Sequence, residues 1–144
     1  MIVVVDASVA AKWYLDEPHG DAARSLVTSG ADLIAPDLIL AEFANLTWKR
    51  LSRREMTEQQ ATAMVDHLSY MLLHIVPCLA LRKPALSIAV ALDHPVYDCF
   101  YIALAAERDI NLVTADMRLI HRVRGTPWEK KVIHIMSALP AVTP

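Results

Sequence analysis

Hydrophobic positions along this chain follow two rhythms. Short unbroken apolar runs, rich in β-branched residues, occur at "IVVV" (2–5), "DLIAP" (32–36), "HIVP" (74–77), "NLVT" (111–114) and "VIHI" (132–135). Runs of this kind predict strands, and "IVVV" reads as one buried on both faces. Between them, apolar residues recur at helical spacing. The pattern predicts helices from about Ser8 to Leu15, within 16–30 after a turn and ending at Gly30, and over 37–54 and 57–73. It also predicts a helix over 83–95 bounded by prolines, one over 98–109, and a short one over 116–125 ending at Gly125. Thr57 followed by Gln60 has the spacing of a capping box. The tail "SALPAVTP" (137–144) predicts irregular chain. Short apolar strands alternating with helices imply an α/β fold with a mostly parallel sheet. No repeat, linker or second domain interrupts the pattern, so residues 1–144 are expected to form one domain.

Composition narrows the class. Hydrophobic residues make up 55% of the 144 positions and charged residues 21%, with 3 glycines, which excludes a disordered or low-complexity chain. The formal charge of −2 carries no global signature of a nucleic-acid binder. An anionic substrate must therefore meet a local basic patch or metal ions. Cys78 and Cys99 do not have a metal or redox spacing. "MIVVVDAS" lacks the basic start of a signal peptide, and no apolar stretch reaches the roughly 18–20 residues needed to span a bilayer. A soluble, cytoplasmic protein with no membrane partner is the expectation.

Four acids then stand out. Asp6 ends the first strand run, Asp116 follows "NLVT" by two residues, and Asp98 precedes "CFYIALAAE". Each of these taken alone reads as a helix cap. Glu42 differs, because it shares a helix face with Leu38, Asn45, Leu46 and Lys49. A carboxylate on a largely apolar stripe is costly to desolvate unless it is paired, with Lys49 as one partner, or binds a cation. In parallel sheets the cleft lies beyond the carboxyl ends of the strands, and side chains from these four positions can converge there. Clustered carboxylates repel one another unless a cation neutralises them, and Mg²⁺ or Mn²⁺ suits oxygen ligands shared with a phosphate. His67 and His74 lie seven apart and the other histidines are scattered, which argues against zinc.

The fragments "IVVVDASVAAKWYLDE", "PDLILAEFAN", "HPVYDCFYIALAAE" and "LVTADMRL", in this order, resemble the PIN-domain ribonuclease family, and most of all its VapC-type toxins from bacterial type II toxin–antitoxin pairs. The resemblance implies a three-layer α/β/α fold with five strands in the order 3-2-1-4-5. It implies a Mg²⁺-dependent endoribonuclease, with Mn²⁺ as a substitute, whose metal-activated water leaves a 5′-phosphate and a 3′-hydroxyl. It places the family's acidic quartet, catalytic and metal-binding, on Asp6, Glu42, Asp98 and Asp116, with polar helpers at Ser8 and Thr114. It also implies a homodimer silenced by a cognate VapB-type antitoxin. Segment 57–84 and the tail lie outside any firm family pattern.

RNA requires local cations. Candidates are Lys49 beside Glu42, and Arg118, Arg122 and Arg124 beyond Asp116, whereas the run "KRLSRR" (49–54) also reads as a solvated helix end favoured by the helix dipole. A rival reading keeps the fold as a catalytically silent module for dimerisation or nucleic-acid docking, with the acids as caps. A phosphohydrolase of the haloacid dehalogenase type needs an acid two residues after Asp6, where Ser8 stands. A phosphoacceptor receiver needs paired early acids and a late lysine, which are not found.

Overall fold

In the computed structural model, residues 1–139 are described. The chain runs β1 (Ile2–Val5), α1 (Ala7–Ala11), α2 (Gly20–Thr28), β2 (Asp32–Pro36), α3 (Leu38–Ser52), α4 (Glu58–Met71), β3 (His74–Val76), α5 (Cys78–Leu92), α6 (Val96–Arg108), β4 (Asn111–Thr114), α7 (Met117–Arg122) and β5 (Val132–His134), then a 3₁₀ turn over Ile135–Ser137. The five strands form one sheet in the order β3-β2-β1-β4-β5. All four pairings are parallel, with Val3 opposite Leu33, Val5 opposite Val113, Ile34 opposite His74 and Thr114 opposite His134. Helices cover both faces, and α6 lies across β1, β2 and β4 with α5 packed on it.

The apolar runs are strands for the expected reason. Val3, Val4 and Val5, Leu33, Ile34 and Ala35, and Leu112 and Val113 are all buried, so neither face of the central strands meets water. Helices follow the same logic with one stripe each. Ile39, Phe43 and Thr47 of α3 are buried at a spacing of four, and α6, nearest the sheet, buries Cys99 and the whole of 101–105. Thr57 and Gln60 form the capping box that starts α4. At the end of α2, Gly30 has φ 76°, a left-handed conformation that releases the chain into β2.

Two boundaries differ from the sequence pattern. Helix α1 ends at Ala11, and the chain turns before Leu15. Helix α5 does not start beside Pro84 but at Cys78, and it runs through the proline. Leu81, Ala85, Ile88 and Leu92 form one buried stripe across it, and their burial holds the helix together despite the missing bond from residue 84. The irregular tail falls partly on residues 140–144, which lie outside the described residues. Among the described residues no single helix is long and apolar enough to cross a membrane, and α5 with α6 form a pair bent by 115°.

Candidate active site

At the carboxyl ends of β1 and β4, two strands that are neighbours in space but distant in sequence, the backbone delivers Asp6 and Thr114 side by side. Asp6 is 7% exposed, and both of its oxygens accept hydrogen bonds. Its Oδ1 accepts from the Ser8 hydroxyl at 2.5 Å and from the Val9 amide at 3.2 Å. Its Oδ2 accepts from the Thr114 hydroxyl. The two hydroxyls are themselves fixed, since Ser8 Oγ accepts from the Ala115 amide and Thr114 Oγ1 from the Asp116 amide, both at 3.0 Å. Each hydroxyl proton thus points to Asp6, and each hydroxyl oxygen accepts from one backbone amide. Asp6 does cap α1, as the local sequence predicts, and it does so from the floor of a cleft.

The other acids arrive on helices. Asp116 caps α7 by accepting from the Arg118 amide at 2.9 Å. Asp98 stands in the first turn of α6, whose cap position is Pro95, so Asp98 is not itself the cap. His94 Nε2 donates to Asp98 Oδ2 at 2.7 Å. Glu42, in the second turn of α3, accepts a 2.5 Å hydrogen bond from the Tyr101 hydroxyl rather than pairing with Lys49. Asp6, Ser8, Glu42, Asn45, Lys49, Asp98, Tyr101 and Asp116 line one cleft of about 310 Å³. All four acids singled out in the sequence therefore face a common space.

Their charges oppose one another. Burial pushes the Asp6 carboxyl up to about 6, against the pull of its bonds from Ser8, Thr114 and Val9, and the charge of Asp98 adds to the rise. Burial also raises Glu42, opposed by the Tyr101 bond and reinforced by Asp98. Burial and the charge of Glu42 drive the Tyr101 phenol far above its ordinary range, so it stays a donor. Among the described residues no three histidine, cysteine, aspartate or glutamate side chains stand close enough together to hold a metal ion as they lie. The donor chemistry nevertheless fits a hard divalent cation. All four acidic groups offer oxygen, two of them are destabilised by a neighbouring negative charge, and such ions commonly complete their coordination with water.

Of the cations proposed to meet RNA, Lys49 alone lines the cleft, and among the described residues it has no carboxylate within ion-pair distance. Arg118 and Arg124 are exposed on and just after α7, and Arg122 bonds the Asp93 carbonyl at the α5–α6 turn. Arg50 is engaged by Glu17 and Glu55. Two residues of the site carried no sequence signal. Tyr101 reads as one more core aromatic on an apolar helix, and His94 precedes the helix it serves. Only the spacing His94, Asp98, Tyr101, with steps of four and three, hints that they share a side of the chain.

A parallel five-stranded sheet in this order, with acids gathered at its carboxyl edge, is the framework of a PIN-domain protein, and the chain belongs to the PIN-domain family, whose model matches residues 3–125. Within the family it groups with the VapC proteins. Ribonuclease VapC3 of Pyrobaculum aerophilum is 32% identical over 124 residues, covering 85% of this chain and 95% of that protein. In shape the chain is similar to PAE2754 from Pyrobaculum aerophilum, with a TM-score of 0.68 and 20% identity over 94% of this chain and 85% of the other. VapBC2 from Rickettsia felis, bound to a DNA fragment from its promoter, gives 0.63 and 13% over 93% and 98%.

Proposed function

We propose that this chain is a divalent-metal-dependent endoribonuclease, the toxin of a VapBC-type pair, acting in the cytoplasm as a single nuclease unit. The observation that carries the reading is the convergence of Asp6, Glu42, Asp98 and Asp116 on one cleft at the carboxyl edge of the sheet. The likeness to a protein named Ribonuclease VapC supports RNA as the substrate. The likeness in fold to VapBC2 is compatible with a VapB-type antitoxin partner, and the family resemblance adds a homodimer.

The four carboxylates would hold Mg²⁺, or Mn²⁺ in its place. When bound, such an ion supplies positive charge to the phosphate and lowers the pKa of water. Ser8 and Thr114 fix both oxygens of Asp6, so that its lone pairs need not reorganise as charge builds up. Glu42 Oε1 is taken by Tyr101, and its Oε2, which has no protein donor among the described residues, accepts the proton of the attacking water. The water oxygen bonds to phosphorus, the P–O3′ bond breaks, and O3′ takes a proton from solvent. A 5′-phosphate and a 3′-hydroxyl result. Lys49 on the cleft wall, and Arg118, Arg122 and Arg124 on and just after α7, would meet backbone phosphates.

The test is cleavage of single-stranded RNA in Mg²⁺ by the wild type and by Asp6→Asn. The variant is expected to keep its circular dichroism spectrum and to lose at least about 100-fold in rate, beyond the 10–100-fold typical of groups that only support a ligand. Undiminished, EDTA-insensitive cleavage overturns the assignment.

A further inference from the structure

Tyr101 is 1% exposed, with its ring among the core residues of α6 and its hydroxyl at the wall of the cleft. At such depth a phenylalanine supplies nearly the same apolar area without a polar atom that needs a partner. Among the described residues the hydroxyl has one hydrogen-bond partner, and that partner is an acid of the site, 59 positions earlier on a different helix. Glu42 in turn has no ion pair among the described residues, although Lys49 lies two turns further along α3. A glutamate has three rotatable side-chain bonds, and Asp98 repels this one. Without a donor its carboxylate would be free to swing away from the other acids. Asp98 stands three residues before Tyr101, so one turn of α6 presents both an acid of the cleft and the donor that steadies another.

We propose that Tyr101 is a positioning residue of the nuclease reaction, acting through Glu42 and not on RNA; the inference rests on the ribonuclease reading above. Its hydroxyl holds the Glu42 carboxylate by Oε1 and leaves Oε2 for the cleft. The pairing crosses from α6 to α3, so it also sets the distance between the Glu42 and Asp98 carboxylates across the cleft.

The experiment is a double-mutant cycle with Tyr101→Phe, which removes one oxygen, and Glu42→Gln. Three properties are measured on the full chain: kcat and KM on a single-stranded RNA, Mn²⁺ affinity without RNA by electron paramagnetic resonance, and the thermal midpoint. Tyr101→Phe is expected to lower kcat by about 10–100-fold with KM nearly unchanged, and to weaken Mn²⁺ binding. In the Glu42→Gln background the same change is expected to have no further effect on kcat or on Mn²⁺ affinity. A role confined to packing would lower the thermal midpoint and leave both readouts alone. Wild-type kcat and Mn²⁺ affinity in Tyr101→Phe, or losses that multiply in the double variant, overturn the proposal. Should Tyr101→Phe fail to fold, Glu42→Asp carries the test, since it withdraws the carboxylate from the phenol without touching the core. It is expected to match the predicted loss, and full activity overturns the proposal. A wild type that binds Mn²⁺ but cuts no RNA removes the ribonuclease reading, while the Mn²⁺ cycle still decides the role of Tyr101. A wild type that does neither removes both.

Discussion

At the scale of single residues, the central fact is that Asp6 is at once a helix cap and a buried acid. Its folded-state carboxyl titrates at about 6 against an ordinary 3.8, so the folded chain favours the protonated form. The native state therefore binds more protons than the unfolded state between these values, and the stability this contributes is complete below pH 3.8 and lost as pH rises through 6. Its size is about 3 kcal/mol. Urea unfolding without divalent ions is expected to show wild-type stability falling by about that amount from near pH 4 to near pH 7.5, and Asp6→Asn to lack most of the fall. Equal slopes would rule this out. Three of the four acids were legible because each sits at a strand end or a helix start. Glu42 was legible because it stands out on an apolar stripe. Its partner was not, since spacing along one helix suggests Lys49 and cannot reveal a phenol delivered by α6.

Elements are legible in the sequence where their signals are local. The capping box of α4 needs only Thr57 and Gln60, and both reciprocal bonds are present, at 3.1 and 2.9 Å. Thr57→Ala is expected to cost about 1 kcal/mol, seen as a lower denaturation midpoint with an unchanged slope. Helix α5 starts before the point its sequence suggests because a proline is ordinarily a boundary, and what carries the helix through Pro84 is burial against the rest of the molecule. Pro84 is itself exposed and supplies no bond to the Ala80 carbonyl. Pro84→Ala should therefore raise stability by about 1–3 kcal/mol, the reverse of the usual effect of a helix substitution; a drop in the midpoint would mean that the proline shapes the contact between α5 and α6. The start of α6 at Val96, two residues before Asp98, places that acid within the first turn, where the helix dipole favours a negative charge.

For the whole molecule, alternation of strands and helices predicted a parallel sheet, but the order of strands was legible only through resemblance, because nothing in the periodicity says that β4 lies beside β1. That adjacency brings the acids together, and on the proposed reading it links ion binding to folding. A divalent ion that binds the folded chain alone should stabilise it by about 2.7 kcal/mol at a hundred times its Kd. Calorimetry is expected to show a Mn²⁺-dependent rise in thermal midpoint near pH 7.5 that shrinks near pH 4.5, where protons compete for Asp6, and that vanishes in Asp6→Asn. The bond from Thr114 to Asp6 spans 108 positions. A polypeptide emerging from the ribosome consequently holds its first acid long before the hydroxyl that locks it has been translated. On the proposed reading, chains interrupted upstream of β4 are expected to be inert, because Thr114 and Asp116 are then missing from the cleft.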